Sequence, residues 1–457
     1  MIPSELKRTD DWRPQLSGRS PADSVQKTKF KIQTPSLTSE FASQHKYFHH
    51  SVKLQSSMKN GILKNDEVTL RELVKKCFPK NGHILDDLIS AKSEVLENAK
   101  SFWSLIAKVT LEWREDSKVE NLPKTLIIKF PVLTDNVLAA GIPLGIDHLK
   151  KELHELTERE VTFYEKLGND EIPHFPLPHF YYGEILDEED EENEKGILVL
   201  EDVGTSTHAA HHIPGLSVQQ VELLVDALAG LHHYTITSPK NWANHSKFQE
   251  GIVEENFQQE QVWLNLTPKR LLLYFETTIR LEEICPERFK GKIDQIKLHF
   301  DYKKGVRAEQ SFKELEMAPV LCHADLNVTN ILWDSNASAE HPKLHSIIDF
   351  QRFHLAKERK DNTQRLLYRY FETLTDLFDG HPPYPVEKVE EALITIFPYA
   401  ANFVLFAIVV YYDMYETLEK DEQKRKEIRE ELLARAEGIV DDLIDMVDPD
   451  KILRRRE

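Results

Sequence analysis

The stretch CHADLNVTNILWD, residues 322–334, places His323, Asp325, Asn327 and Asn330 just ahead of a short apolar strand, ILW. Asp and Asn before a strand are ordinary turn formers, because their side chains hydrogen-bond the local backbone. Taken alone, the stretch shapes a loop as readily as it carries chemistry. A second strand-like segment, HSIIDFQ at 345–351, changes the balance. It embeds Asp349 among apolar residues, where an ionised carboxylate is costly unless something compensates its charge. Two carboxylates and an amide at the ends of neighbouring strands can meet in one cleft.

Phosphoryl transfer needs such a set. One group orients the attacking hydroxyl and accepts its proton, while others hold the cations that neutralise the phosphate oxygens. Asn330 lies five residues after Asp325 and Asp349 follows beyond a loop, the relative spacing of a kinase catalytic loop and its metal-binding aspartate. On this reading Asp325 takes the proton, Asn330 and Asp349 coordinate Mg²⁺, and His323 supports the loop by hydrogen bonding. The other half of the site falls on Lys129, in the apolar strand TLIIKFPVL (125–133), whose ammonium requires an anion or water. Glu160, on the helical stretch 151–167, supplies a partner that would fix Lys129 against a nucleotide's phosphates. Viewed by itself, Lys129 facing water from an edge strand is the simpler account.

Composition bounds the alternatives. The 457 residues suffice for two or three folding units, and 40% hydrophobic with 30% charged residues describes an ordinary globular chain. A net charge of -19 disfavours nonspecific attraction to nucleic acid or an anionic membrane, while leaving room for a local basic pocket. Cys77, Cys285 and Cys322 are too few and too far apart for a disulfide framework, which fits a reducing, cytoplasmic setting. The N-terminus has no apolar core of signal type. The run FVLFAIVV (403–410) falls short of the roughly 20 residues that span a bilayer, so it reads as a buried helix. Neither a nucleic-acid nor a membrane partner is expected, and the sequence defines no protein partner.

Residues 1–45 are polar, are punctuated by Pro14, Pro21 and Pro35, and read as a flexible extension. TLRELVKKCF (69–78) begins the folded part as a short helix. SLIAKVTLEW (104–113) and TLIIKFPVL then read as neighbouring antiparallel strands. Leu153, Leu156, Val161, Tyr164 and Leu167 recur at helical spacing, and a strand follows at 196–204 after the acidic insert at 187–194, a solvated hairpin loop. From Val218 onward helical patterns dominate, at 218–236, 253–283 and 288–304. After the two short strands comes a long apolar helix that Pro398 breaks or bends near its start, then a charged outer helix over 420–447. The fold class is therefore α+β and bilobal. A small mixed-sheet lobe spans 46–204, and a helical lobe carrying the catalytic and metal-binding motifs spans 205–457.

TLIIKFP, EREVTFYEKL, GILVLEDVG, CHADLNVTNILWD and IIDFQ occur in the order found in the aminoglycoside and choline kinase-like superfamily, and most resemble its ecdysteroid kinase-like group. The resemblance runs from about residue 95 to 415. It implies a protein-kinase-like fold, ATP and Mg²⁺ as cofactors, and a small-molecule hydroxyl, steroid-like or amino-alcohol, as acceptor. Residue by residue, Lys129 matches the phosphate-binding lysine, Glu160 its ion-pair partner, Asp325 the catalytic aspartate, and Asn330 and Asp349 the metal ligands. Leu200, Glu201, Asp202 and Val203 match the hinge whose backbone meets adenine, and Asp361 matches an aspartate that supports the helical lobe. Two departures stand out. SEVLENAKSFWS (93–104) lacks the glycines of the family's phosphate-covering loop, and Ala324 replaces a glycine of the catalytic loop. These leave a second reading open, a weak or inactive nucleotide-binding regulator. A third is an interaction protein that binds no nucleotide.

Overall fold

The computed structural model describes residues 58–96, 103–117, 119–133, 146–186, 196–238, 268–301, 303–305, 314–318, 320–323, 326–349 and 359–447. The N-terminal extension, the acidic insert, residues 97–102 of the glycine-free loop, Ala324 and Asp325 lie outside them, as does the side chain of Asp361. The architecture is α+β and bilobal, with a small mixed sheet lobe and a larger helical lobe, as in the kinase-like fold.

Helices α1 (Met58–Leu63) and α2 (Glu67–Cys77) open the small lobe. The first turn of α2 is closed by Asp66, whose carboxylate accepts from Thr69 N at 3.0 Å, satisfying one orphan donor of the helix end. An antiparallel sheet follows in the order β1-β2-β3-β5-β4, from β1 (Leu88–Val95), β2 (Ser104–Trp113), β3 (Thr125–Pro131), β4 (Phe180–Glu184) and β5 (Ile197–Glu201). Side chains alternate along a strand. On β3 this puts Leu126, Ile128 and Phe130 at 0% exposure in a core shared with Leu70, Leu73 and Val74 of α2. Ile127 and Lys129 are thereby turned to the opposite face.

Helix α3 (Ile146–Leu167) connects β3 to β4. Its buried stripe, Leu149, Leu153, Leu156, Glu160, Tyr164 and Leu167, advances by three or four residues at a time, so one acid rides on the apolar face. The chain then enters the helical lobe. A second sheet, order β6-β7-β8, is formed by β6 (Thr207–Ala209), β7 (Ile331–Asp334) and β8 (Leu344–Ile347). Ile331, Trp333 and Ile347 of this sheet share a core with Leu198 and Leu200 of β5, Val161 and Tyr164 of α3, and Leu224, Ala227 and Leu231 of α4 (Val218–Thr237). That shared core sits where the two lobes meet. Gly230 of α4 lies against the loop leading to β4, and a Cβ there would stand 1.6 Å from the carbonyl oxygen of Pro173. The same loop reaches β8, since Ile347 N donates to Pro176 O at 2.9 Å.

Helices α5 (Pro268–Ile284), α6 (Arg359–Leu377), α7 (Val386–Leu418) and α8 (Glu422–Val447) complete the lobe. α6 is tied to α4 by Arg369, whose guanidinium donates to both carboxylate oxygens of Asp226 at 2.9 and 2.5 Å. α7 corrects the sequence reading in two respects. It begins at Val386 and runs unbroken through Pro398, and it is long and apolar enough to cross a membrane. Its C-terminal half is core, with Ala401, Leu405, Ile408 and Val409 buried against α5 and α8, whereas Leu393, Ile394 and Ile396 are about 40% exposed. The proline deprives the carbonyl of Ile394 of its helical donor, and at that exposed turn water can take the donor's place. At α8, Arg435 donates to His212 O at 2.9 Å and to Pro214 O at 2.8 Å, pinning the segment that follows β6.

Candidate active site

Lys129 is the meeting point. Its ammonium donates to Glu160 Oε1 and Oε2 at 2.9 and 2.7 Å and to Asp349 Oδ1 at 2.6 Å. The strand, the helix stripe and the end of β8 each bring one member, and Lys129 and Glu160 are left only 14% and 6% exposed in their side chains. Burial opposes the charge on Lys129, but Asp349 and Glu160 outweigh it and hold its pKa above the ordinary lysine value. The lysine is therefore an ammonium at any physiological pH.

Asn330 and Asp349 occupy the same end of the β7–β8 hairpin. Ile331 pairs with Ile347, and the next step outward is the bond from Ile348 N to Asn330 O at 3.0 Å. Asn330 closes a one-turn 3-10 helix, Val328–Asn330, capped by the Asn327 side chain, which accepts from Thr329 N at 2.8 Å. Asp349 has φ +62°, a left-handed conformation that Asp tolerates better than most residues because its short polar side chain can bond locally. His323 is 0% exposed, and its Nε2 lies 3.0 Å from Ile348 O. Since a carbonyl only accepts, Nε2 carries the proton there. Burial pulls the His323 pKa down to about 4, against the opposing pull of the Ile348 carbonyl, so the ring is neutral and serves as a tie between the 320–323 segment and the end of β8. Asp325 is outside the described residues, yet both its flanks are anchored, His323 at 0% exposure and Leu326 at 7%.

Residues 200–203, expected to meet adenine, are heavily engaged with their own neighbours. The Asp202 carboxylate is turned toward the sheet, accepting from Lys108 Nζ at 2.8 Å and from Gly204 N at 2.9 Å. Burial would raise the Asp202 pKa, but these bonds, with one from Thr125, lower it on balance. Glu201 N donates to His179 O at 2.9 Å, and Val203 O accepts from the Ser206 and Thr207 hydroxyls. Leu200 faces the shared core between the lobes. Two residues that sequence reasoning missed belong to this neighbourhood. Lys108 stands two pairs along the β2–β3 register from the Ile106–Lys129 pair, on the same face as Lys129. Tyr164 lies one turn after Glu160, fully buried and stacked on Phe180. Burial, then Glu160 and Asp349, raise its hydroxyl pKa well above the ordinary value. Its place four residues after Glu160 on the apolar stripe was the available signal.

The donor set suits a hard cation. Asn330 and Asp349 offer oxygen ligands, and among the described residues no group of three or more His, Cys, Asp or Glu side chains could hold a metal ion. Mg²⁺ fits such a site, since it is commonly held by one or two carboxylates with phosphates and water completing its shell.

A buried lysine shared by two carboxylates, set at the junction of a small sheet lobe and a helical lobe, defines a bilobal kinase-like protein. The chain belongs to the family DUF1679, described as "Uncharacterized oxidoreductase dhs-27", which matches residues 60–450. It is similar to the "Uncharacterized kinase-like protein D1044.1" of Caenorhabditis elegans, at 30% identity over 372 residues covering 76% of this chain and 92% of that protein. It is also similar to "Uncharacterized oxidoreductase dhs-27" of the same organism, at 24% identity over 283 residues, 58% of this chain but 31% of that protein. An activity named for a protein that lies mostly outside the match is not localised to the matched part. Among solved structures, the ethanolamine kinase of Plasmodium vivax aligns with 82% of this chain and 91% of its own, at 13% identity and a TM-score of 0.38, a distant likeness that does not bear on mechanism. The matched family supports the kinase-like relationship without resolving the ecdysteroid kinase-like group that the sequence motifs most resemble.

Proposed function

We propose that this protein is an ATP-dependent phosphotransferase acting in the cytoplasm on the hydroxyl of a small molecule, steroid-like or amino-alcohol in type, as its likeness to the ecdysteroid kinase-like group implies. The observation that carries this reading is Lys129 bridging Glu160 and Asp349. A fixed ammonium beside a metal-binding carboxylate is what phosphate positioning requires. The small lobe, 46–204, holds the nucleotide from above, and the helical lobe, 205–457, supplies the transfer chemistry from below. Residues 1–45 serve as an extension.

In this mechanism Lys129 orients the phosphates and Glu160 holds Lys129 in place. Backbone groups at Leu200, Glu201, Asp202 and Val203 take the base, while the Asp202 side chain fixes the hinge through Lys108. Bound Mg²⁺ neutralises charge on the phosphate oxygens, and Asn330 and Asp349 are the residues that would hold it. The acceptor hydroxyl oxygen bonds to the terminal phosphorus as the bond from that phosphorus to the bridging oxygen breaks, and its electron pair leaves with ADP. The hydroxyl proton passes to the Asp325 carboxylate. His323, neutral and tied to Ile348, keeps the loop in place and takes no proton.

Purified protein should bind ATP with Mg²⁺ in calorimetric titration, and a panel of alcohols with labelled ATP should reveal transfer of the terminal phosphate. Asp325→Asn should leave ATP affinity within about twofold and cut transfer by at least about a hundredfold, the usual scale for a lost general base. Equal loss of both would sink the assignment. Binding without transfer to any alcohol would favour the regulatory reading, and absence of binding would count against both.

A further inference from the structure

We propose that Lys108 is a positioning residue for the base end of the nucleotide, acting through Asp202 on the turn at 202–204, while Lys129 serves the phosphate end. This rests on the phosphotransferase reading and divides the nucleotide between two lysines on one face of the small sheet.

The register sets the two lysines apart. Lys129 of β3 pairs with Ile106, and Lys108 of β2 pairs with Ile127, so they stand two residues apart along the ladder, roughly 7 Å. Lys129 is held by Glu160 and Asp349. Lys108 reaches the other way. β2 and β5 flank β3, two strand spacings or roughly 9.5 Å from each other, a gap that takes a long side chain to cross. The Lys108 ammonium crosses it to the Asp202 carboxylate at 2.8 Å, one residue beyond the Leu126–Glu201 pair and so farther from Lys129.

Asp202 passes this bond on to the backbone. Its side chain is 5% exposed, and while Oδ2 takes Lys108, Oδ1 accepts from Gly204 N at 2.9 Å and closes the turn on itself. A buried carboxylate is costly without its cation, so removing Lys108 disturbs the turn as well as the charge. Gly204 fits the same chain of contacts. A Cβ there would stand 2.6 Å from Asp202 Oδ1 and 3.7 Å from Asp202 Cγ, and apart from its chain neighbours nothing else lies within 4 Å. Glycine at 204 makes room for that carboxylate alone. An exposed ion pair stapling two strands would be worth little. This one is buried at its acid end and shapes the backbone assigned to the base.

Two variants break the chain of contacts at different links. Lys108→Met removes the cation and keeps an apolar stem, and Gly204→Ala sets a methyl against the Asp202 carboxylate. Full-length wild type, both variants and Lys129→Met are titrated calorimetrically with ATP and with tripolyphosphate, each in excess Mg²⁺. Lys108→Met and Gly204→Ala should each weaken ATP binding at least about fivefold, the scale of one net hydrogen bond, and leave tripolyphosphate within about twofold. Lys129→Met should weaken both probes. Equal losses on the two probes in Lys108→Met and Gly204→Ala would reduce the pair to a structural staple and overturn the proposal, as would unchanged ATP affinity in both variants. Failure of wild type to bind either probe would instead overturn the nucleotide reading beneath it.

Discussion

Replacing Gly230 by alanine sets helix propensity against sterics at a point coupled to the candidate site. Alanine is favoured over glycine inside a helix by about 1 kcal/mol, so propensity alone predicts a more stable protein. The added Cβ would, however, stand 1.6 Å from the backbone oxygen of Pro173, where real contacts stay beyond 3.0 Å. Helix and loop would have to part by roughly 1.5 Å, and overpacking of this kind costs about 1–3 kcal/mol when a side chain can yield, more when the obstacle is backbone. Sterics therefore wins, by about 2 kcal/mol, enough to lower the Tm of a chain this long by about 2 °C. Gly438, inside α8, is the matched control, since a Cβ there meets nothing within 4 Å. Gly438→Ala should raise stability by up to about 1 kcal/mol. The two full-length variants are compared with wild type by scanning calorimetry. Gly230→Ala melting at or above wild type would refute the reasoning, and so would a shift of equal sign in both.

Two further outcomes are expected. Glu160→Gln leaves the buried Lys129 with a single charged partner, so the protein should lose roughly 3 kcal/mol of stability and about tenfold in Mg²⁺-ATP affinity; unchanged melting and binding would show that the pair is idle. His323, buried, and His232, half-buried, are both held neutral by desolvation, with pKa values near 4 against 6.5 ordinarily. Between those values the unfolded chain binds more protons than the folded one. Stability should therefore rise with pH across that window, and fall on acidification from 6.5 toward 4 by up to about 3 kcal/mol per histidine. A Tm profile flat from pH 7 to 5, or His232→Gln showing the same slope as wild type, would contradict this.

How far the sequence could be read depended on whether a residue's role was local. Lys129 stood out because a charge in an apolar strand needs an anion or water, and Glu160 because it lies on the following helix, which could bring it back to the lysine. β2 coincides with its expected range because apolar and polar residues alternate from Ala107 to Trp113. β1 and β4 went unread because each carries a register shift that breaks the period-two pattern, and β6 because three residues are too few to show one. The engagement of the Asp202 carboxylate was not legible, because Lys108, which holds it, is distant in sequence. Pro398 misled because the rule against interior proline assumes a dry helix, and the turn before it is exposed. Tyr164 read as one more apolar position, since spacing cannot tell a ring that fills a core from one whose hydroxyl feels two carboxylates.

Arg435 holds the carbonyls of His212 and Pro214, which belong to the stretch joining the hinge to the first helix of the larger lobe. The last long helix thus acts on the passage between the lobes without contributing any candidate site residue. A chain cut ahead of α8 would keep Lys129, Glu160, Asn330 and Asp349 while releasing the far anchor of their connecting segment. The two bonds from Arg435 make α8 a brace for that passage.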